Sequence, residues 1–349
     1  MTRPLFGTSI YYATDKNIFD ALNEHKVDTP TVIKLFEQRN TLVCPSTPRD
    51  RLAAYFARLN HDYFDHKEIA NRLGVVPRRE RIASVDLMGI KDTKTLVDAI
   101  DEVASKLRSF GDVVTVNRKN ENVTVSIQYS QIDYRRSEFN QVQIRDGVIE
   151  FSHESGSYVI RSTKNDRIDD VRDTIIEKLR ASPDVEQRSV SLFGHPDPKT
   201  RSAFFYDLFS DLPGLTLVDV TDVYVYKGES DDEHLDSFVE RVSLKGKGVT
   251  RSDFHSTLDR EGYYTYRVAW RSKETMGRGD EFDIEVIFSD HVGCTGFSFL
   301  LEGVYERIDG VVAAKRRLPH TIETLRIAKA VEGRARHLIS KLNQPTVSI

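Results

Sequence analysis

Two acidic residues offer the most direct route to catalysis in this 349-residue sequence. Asp283 and Glu285 are two positions apart in the segment EFDIEVIF, which reads as a strand, and alternate residues of a strand share one face. Paired carboxylates on one face can hold the metal ion of a nuclease. Because Ile284 and Val286 take the opposite, apolar face, we expect the two acids to face water. Metal-dependent cleavage is therefore an alternative function, not the leading one.

Two further segments contain residue types that bind metals. The sequence HDYFDH spans 61–66, and Asp290-His291 is followed by Cys294. Asp65 followed by Glu68 also fits a helix capping box, and residues 290–294 fit a hairpin connection. No motif of a phosphate-binding loop, a zinc protease or a serine hydrolase is present, and the two cysteines form no paired motif. We expect no resident metal and no cofactor, and a non-enzymatic function is favoured over the metal-dependent alternative.

Phosphate binding by basic residues is the second chemistry that the sequence offers. Arginine guanidinium groups pair well with phosphate oxygens. The main candidates lie in the first 84 residues and are Arg49, Arg51, Arg78, Arg79 and Arg81, with Thr47 beside them. Secondary candidates are Arg135, Arg136, Lys315, Arg316 and Arg317. The net charge of −4 excludes a wholly basic coat protein, but an acidic protein can carry a local basic patch.

The elements that would position the first candidates lie between residues 28 and 60. Asp28-Thr29-Pro30 predicts a helix start, Arg39-Asn40 a corner and Leu42-Val43 an extended piece, and Pro48-Arg49 leads into a second helix. This pattern resembles the helix–extended–helix element of SAP-type DNA-binding modules, with Asn40 where that family usually has glycine. The resemblance implies that Thr47, Arg49 and Arg51 face DNA phosphates. An ordinary helical hairpin packed on the rest of the protein is the alternative.

Residues 65–84 resemble a helix-turn-helix. HKEIANRLG predicts a helix that ends at Gly74, and Pro77 would open a second helix. The resemblance implies that Arg78, Arg79 and Arg81 stand at the exposed start of that helix, where they could contact phosphates or base edges. A basic linker between domains is the alternative interpretation.

The rest of the chain has the pattern of an α+β protein. Amphipathic periodicity predicts helices at 92–108, 166–180 and 320–342, and alternating segments between them predict antiparallel strands. Asp146-Gly147 predicts a two-residue hairpin turn. A meander followed by a helix occurs at 112–181 and again at 262–342, which suggests a duplication and two similar sheets side by side.

These patterns predict three domains and one leading function. The domains are a helical head at 1–84 and two α+β domains at 85–230 and 231–349. With 39% hydrophobic and 30% charged residues, and with neither a signal peptide nor an apolar run long enough to cross a membrane, we expect a cytoplasmic protein without a membrane partner. The leading function is non-enzymatic binding of duplex DNA through the head, within a larger assembly. The alternative is a scaffold or adaptor subunit that binds a protein partner or a second copy of itself.

Overall fold

The computed structural model describes residues 13–24, 27–62, 64–66, 68–69, 80–90, 92–135, 139, 141–154, 156–180, 184–227, 241–246, 257–258 and 260–344. Contacts divide the chain into two compact units. The first unit is Met1–Arg78 with Lys94–Val148, and the second is Arg79–Thr93 with Ile149–Ile349. Each unit is therefore discontinuous along the chain.

Seven helices and thirteen strands are described in these ranges. In chain order they are α1 (Asp15–Asn23), α2 (Thr29–Glu37), α3 (Arg49–Ala57), β1 (Ile82–Met88), α4 (Thr93–Ser109), β2 (Val113–Lys119), β3 (Asn122–Ile132), β4 (Val142–Glu154), β5 (Ser157–Thr163), α5 (Asp166–Leu179), β6 (Glu186–Arg188), α6 (Pro198–Ser210), β7 (Leu215–Tyr226), β8 (Arg241–Lys245), β9 (Tyr264–Glu274), β10 (Glu281–Asp290), β11 (Thr295–Tyr305), β12 (Arg307–Ile308), β13 (Val311–Val312) and α7 (Thr321–Leu342).

The predicted α+β class is confirmed. Eleven strands form one antiparallel sheet in the order β2-β3-β4-β5-β1-β11-β10-β9-β7-β8, with β6 paired to β1. Strands β12 and β13 form a separate small hairpin. The meanders β2–β5 and β9–β11 therefore belong to one sheet, and β1 joins them by pairing with both β5 and β11. The expectation of two separate sheets was wrong.

The predicted hairpin turn at Asp146-Gly147 was also wrong. Both residues lie inside β4, which runs without a break from Val142 to Glu154. A type I′ turn needs positive φ at both central residues, and Gly147 is not among the described glycines with positive φ. The Gln128 side chain on β3 donates a hydrogen bond of 3.0 Å to Asp146.

The head of the first unit is built from short helices, of which α1 and α2 begin with side-chain caps. Thr14 and Asn17 form a capping box at the start of α1. The Asp28 side chain accepts the Thr31 N–H at the start of α2, as the sequence predicted. The helices enclose a small apolar core whose most buried members are Ile18, Leu22, Val32, Leu35, Leu52, Phe56 and Ile69.

The second unit has a larger core on one face of the sheet. Strands β9 and β10 contribute alternate residues, among them Val268, Trp270, Ile284 and Val286, each exposed by 1% or less. Helices α6 and α7 contribute to the same core. Among the described residues, no helix is both long enough and apolar enough to span a membrane.

Candidate nucleic-acid interface

Residues 29–57 form two helices joined by a corner, as the sequence predicts, and by a segment without regular secondary structure. Helix α2 ends at Glu37, residues 41–44 have no assigned helix or strand, and α3 begins at Arg49. Asn40 at the corner has φ of 54°, a left-handed conformation that asparagine tolerates better than most residues. Its N–H donates to the Glu37 carbonyl at 2.9 Å, and the Thr41 N–H donates to the Phe36 carbonyl at 2.9 Å. Asn40 thus makes the corner for which the resembling family uses glycine.

Aromatic packing fixes the two helices against each other. The rings of Phe36 on α2 and Phe56 on α3 meet edge to face, with centroids 5.1 Å apart. Leu52 and Ala53 on α3 are buried as well. The opposite side of α3 is left to face solvent.

Arg49 lies at the start of α3 and is engaged inside the head. Its guanidinium group donates to the carbonyl oxygens of Asn23 at 2.5 Å, Val27 at 2.7 Å and Glu24 at 3.3 Å. The last carbonyls of a helix have no partner within the helix, so Arg49 satisfies those at the end of α1. It holds α3 against α1 and is not turned toward solvent as a phosphate ligand would be.

Arg51 and Thr47 occupy different surroundings. Arg51 is exposed and Thr47 is half-buried. Within the described residues, the Arg51 guanidinium pairs with no carboxylate. The first turn of α3 follows Pro48 and has no side-chain cap. Uncapped amides at a helix start favour an anion.

Two residues that the sequence analysis did not select extend this surface. Tyr55 is 56% exposed, and Arg58 is exposed without a carboxylate partner among the residues described. Residues spaced by four and three positions lie on one side of a helix, so Arg51, Tyr55 and Arg58 form a continuous stripe, called here the α3 stripe. Helical spacing from Arg51 would have found both residues.

The helix-turn-helix prediction falls largely on residues 70–79. These residues, with Arg78 and Arg79, lie outside the described ranges. Arg81 is described, and it directly precedes β1 instead of starting a helix. Its guanidinium group donates to the Glu285 carboxylate, so this member of the predicted group belongs to the polar face of the sheet.

Asp283 and Glu285 share one face of β10, as the sequence predicted, but arginines cover them. Arg267 donates to Glu285 at 2.8 Å from Nε, in addition to Arg81. Arg271 donates to Asp283 at 2.8 Å. Glu285 is only 2% exposed, so the expectation that it faces water was wrong. Among the described residues, no group of three or more His, Cys, Asp or Glu side chains could hold a metal ion.

The secondary basic candidates differ in their pairing. Lys315 is exposed. Arg316 donates to Glu302 at 2.7 Å, and Arg317 donates to Glu306 at 2.7 Å and to Glu323 at 2.6 Å. The hydrogen bonds that Glu323 accepts from Arg317 and from the His320 N–H, together with the charge of Arg317, lower the pKa of Glu323 to about 2.

The candidates near Tyr134 are only partly described. The Arg135 side chain is 93% exposed and lies 3.3 Å from Asp133. Tyr134 is 80% exposed. Arg136 lies outside the described residues.

A buried charge cluster in the second unit was not anticipated. Glu332 on α7 is 0% exposed and accepts a hydrogen bond of 2.9 Å from Arg161 on β5. Arg336 lies 2.7 Å from Asp86 on β1 and 3.5 Å from Glu332. Burial raises the pKa of both Asp86 and Glu332. Sequence periodicity places Glu332 beside the apolar stripe of α7, but nothing local in the sequence shows its partners.

Comparison with known proteins adds no relative to this description. No protein-family model matches the sequence, and a search of curated proteins finds no match.

Proposed function

We propose that this protein is a non-enzymatic DNA-binding protein of the cytoplasm, whose head contacts the phosphates of duplex DNA as part of a larger assembly. The α3 stripe carries the proposal. Its two arginines have no carboxylate partner among the described residues. The stripe begins with Arg51 in the uncapped first turn of α3. Cys44 and Cys294 are both free thiols, which fits a reducing compartment.

The proposed contact uses side chains and amides of α3 and of the segment before it. Arg51 and Arg58 neutralise phosphates, while Thr47 and the first amides of α3 donate hydrogen bonds to a neighbouring phosphate. Tyr55 lies between the arginines and packs on the sugar–phosphate backbone. Contacts of this kind position a protein on DNA without reading its sequence. We therefore propose weak sequence preference and strong dependence on salt.

Arg49 supports the contact indirectly. Because it binds three carbonyl oxygens of the α1 end and the segment that follows, it fixes the position of α3. The proposal accordingly reassigns Arg49 from phosphate ligand to positioning residue and keeps Arg51.

The test is the affinity of the full chain for a fluorescein-labelled duplex, measured by anisotropy at low salt. An Arg51→Ala/Arg58→Ala variant is compared with the wild type and with a matched Arg180→Ala/Arg278→Ala control. Both control arginines are exposed and lie outside the head. Loss of two phosphate contacts should weaken binding at least tenfold, whereas the control should bind like the wild type. Equal weakening in both variants would show that only net charge matters and would refute the assignment to α3.

An adaptor role is the second candidate, and exposed apolar side chains on the head favour it. Leu42 is 94% exposed, Phe64 73% and Leu59 38%. Exposed apolar side chains grouped together are typical of protein-binding surfaces. Failure of the wild type to bind DNA at micromolar concentration, together with self-association that a Leu42→Ser/Phe64→Ser variant abolishes, would favour this role with a second copy as the partner.

A further inference from the structure

A cleft in the first unit is separate from the α3 stripe. Its volume is about 800 Å³, which lies within the range of small-molecule sites. It opens between the corner that follows α2 and the segment that follows α3. The lining residues are Gln38, Arg39, Asn60, His61, Asp62, Phe64, Asp65 and Glu68.

His61 is the unusual member of this cleft. Its side chain is only 7% exposed, and neither ring nitrogen has a hydrogen-bond partner within the described residues. Nδ1 lies 3.4 Å from an Asp65 oxygen without the geometry of a hydrogen bond. The ring packs against Phe56, with centroids 4.9 Å apart. A buried polar group without a partner is unfavourable, so a ligand that forms a hydrogen bond with this imidazole gains from satisfying it.

The charge of the cleft is negative. Three carboxylates and one guanidinium group line it. The guanidinium, that of Arg39, is occupied by Asp65, to which it donates from both Nε and Nη2. Burial raises the pKa of Asp65, but the hydrogen bonds from Arg39 and from the Asp62 amide outweigh this and leave the pKa below its ordinary value. Asp65 is therefore ionised at neutral pH.

Asp62 keeps part of its carboxylate for a ligand. One of its oxygens, Oδ1, accepts the N–H groups of Phe64 at 2.9 Å and Asp65 at 3.0 Å. The predicted cap at Asp65 was therefore wrong, because Asp62 takes that role and Asp65 binds Arg39. Phe64 places a ring that is 73% exposed at the rim of the cleft. An exposed aromatic face beside carboxylates attracts a cation.

From these observations we infer that the cleft binds an organic cation with an ammonium or guanidinium group. Asp62 and Glu68 supply the negative charge, a ring nitrogen of His61 accepts one N–H of the cation, and Phe64 covers its apolar part. The group can come from a free small amine or from a lysine or arginine side chain of a peptide. The inference does not depend on DNA binding by α3.

Isothermal titration calorimetry of the full chain tests the inference with three probes. Putrescine represents a free amine, acetyl-Gly-Lys-Gly-amide represents a peptide side chain, and 1,4-butanediol is the uncharged control. We expect at least one amine to bind and butanediol not to bind. Tighter binding of putrescine would identify a free amine as the source, and tighter binding of the peptide would identify a side chain.

Variants locate the binding. Glu68→Gln and Asp62→Asn should each weaken amine binding about fivefold or more, and Asn at position 62 retains the capping oxygen. Glu37→Gln removes an exposed acid of α2 that does not line the cleft and should leave the affinity unchanged. His61→Phe should weaken binding, whereas His61→Gln, which keeps an acceptor, should restore part of it. Absence of binding by both amines at 5 mM, roughly the weak end of ligand affinity, or equal binding in all variants, would overturn the inference.

Discussion

Arg49 and Arg51 are separated by one residue and have opposite roles. Each residue advances an α-helix by about 100°, so side chains two positions apart point to nearly opposite sides: Arg49 points to the end of α1 while Arg51 faces solvent. The sequence places both at a helix start, where either could bind phosphate. Only the approach of α1, which depends on packing of Leu22, Leu52 and Phe56, decides between them.

Replacing Arg49 should destabilise the head without removing a DNA contact. Arg49→Ala removes the guanidinium donor of the Asn23 and Val27 carbonyl oxygens, while the Glu24 carbonyl keeps the Val27 N–H, and hydrogen bonds to a charged group contribute about 1.5–3 kcal/mol. We expect the free energy of unfolding in urea to fall by about 2 kcal/mol. Arg51→Ala should change it by less than about 0.5 kcal/mol, as exposed substitutions do. Equal stability of the two variants would contradict the positioning role.

The start of α7 shows how one element is held at its end. Glu323 accepts the His320 N–H at 2.7 Å and pairs with Arg317 at 2.6 Å. A carboxylate in the first turn also interacts favourably with the helix dipole. The Arg317 N–H also donates to the Val304 carbonyl of β11. Together these contacts hold the start of α7 against β11.

The stability that Glu323 supplies should depend on pH. Its pKa is lowered to about 2 from the ordinary glutamate value of 4.5, so the contribution is complete above the unfolded pKa and is lost as the pH falls toward 2. We expect Glu323→Gln to lower the free energy of unfolding by about 1–2 kcal/mol at pH 7, after allowance for solvent screening. Denaturant titrations of both proteins between pH 7 and pH 2 should converge. A difference that persists at pH 2 would assign the effect to packing.

The buried cluster predicts a contrast between two substitutions of Glu332. Glu332→Ala removes the buried one of the two carboxylates that pair with Arg161 and leaves only the partly exposed Glu154, and breaking a buried pair costs about 3–5 kcal/mol. Glu332→Gln retains an oxygen for Arg161 and cannot ionise, so its cost should be far smaller. Urea unfolding at pH 7 measures both. Equal losses would show that the charge of Glu332 is needed.

The stability that Glu332 supplies should depend on pH in the opposite direction to that of Glu323. Burial raises the folded pKa of Glu332, so the unfolded chain ionises first as the pH rises. Wild-type stability should therefore fall relative to Glu332→Gln as the pH increases above the ordinary glutamate value. The same denaturant series across pH checks this.

At the scale of the whole molecule, local pattern predicts elements better than it predicts their pairing. Periodicity placed α5 and α7 to within a residue, since an apolar stripe such as Ile168, Ile175 and Leu179 needs only nearby residues. Periodicity could not place β1 between β5 and β11. These strands are about 80 to 220 residues from β1 along the chain, and their pairing is decided by how the side chains on each face of the strands fit together.

The same limit applies to the candidate sites. The corner at Asn40 and the start of α2 follow from local chemistry, and the sequence predicts them. The burial of Glu285 under Arg81 and Arg267 joins residues of β9, of β10 and of the segment before β1, so no local pattern reveals it. The exposed Tyr55 and Arg58 follow from helix spacing once Arg51 is known to face solvent.

The salt dependence of DNA binding tests the central claim most directly. Each phosphate contact contributes about 0.9 to the slope of log K against log salt concentration. For a duplex without a special sequence, Arg51→Ala/Arg58→Ala should reduce that slope by about 1.8 relative to the wild type, while Arg180→Ala/Arg278→Ala should leave it unchanged. A wild type that binds with the same slope as the Arg51→Ala/Arg58→Ala variant, or that does not bind DNA at all, would contradict the proposed role of α3.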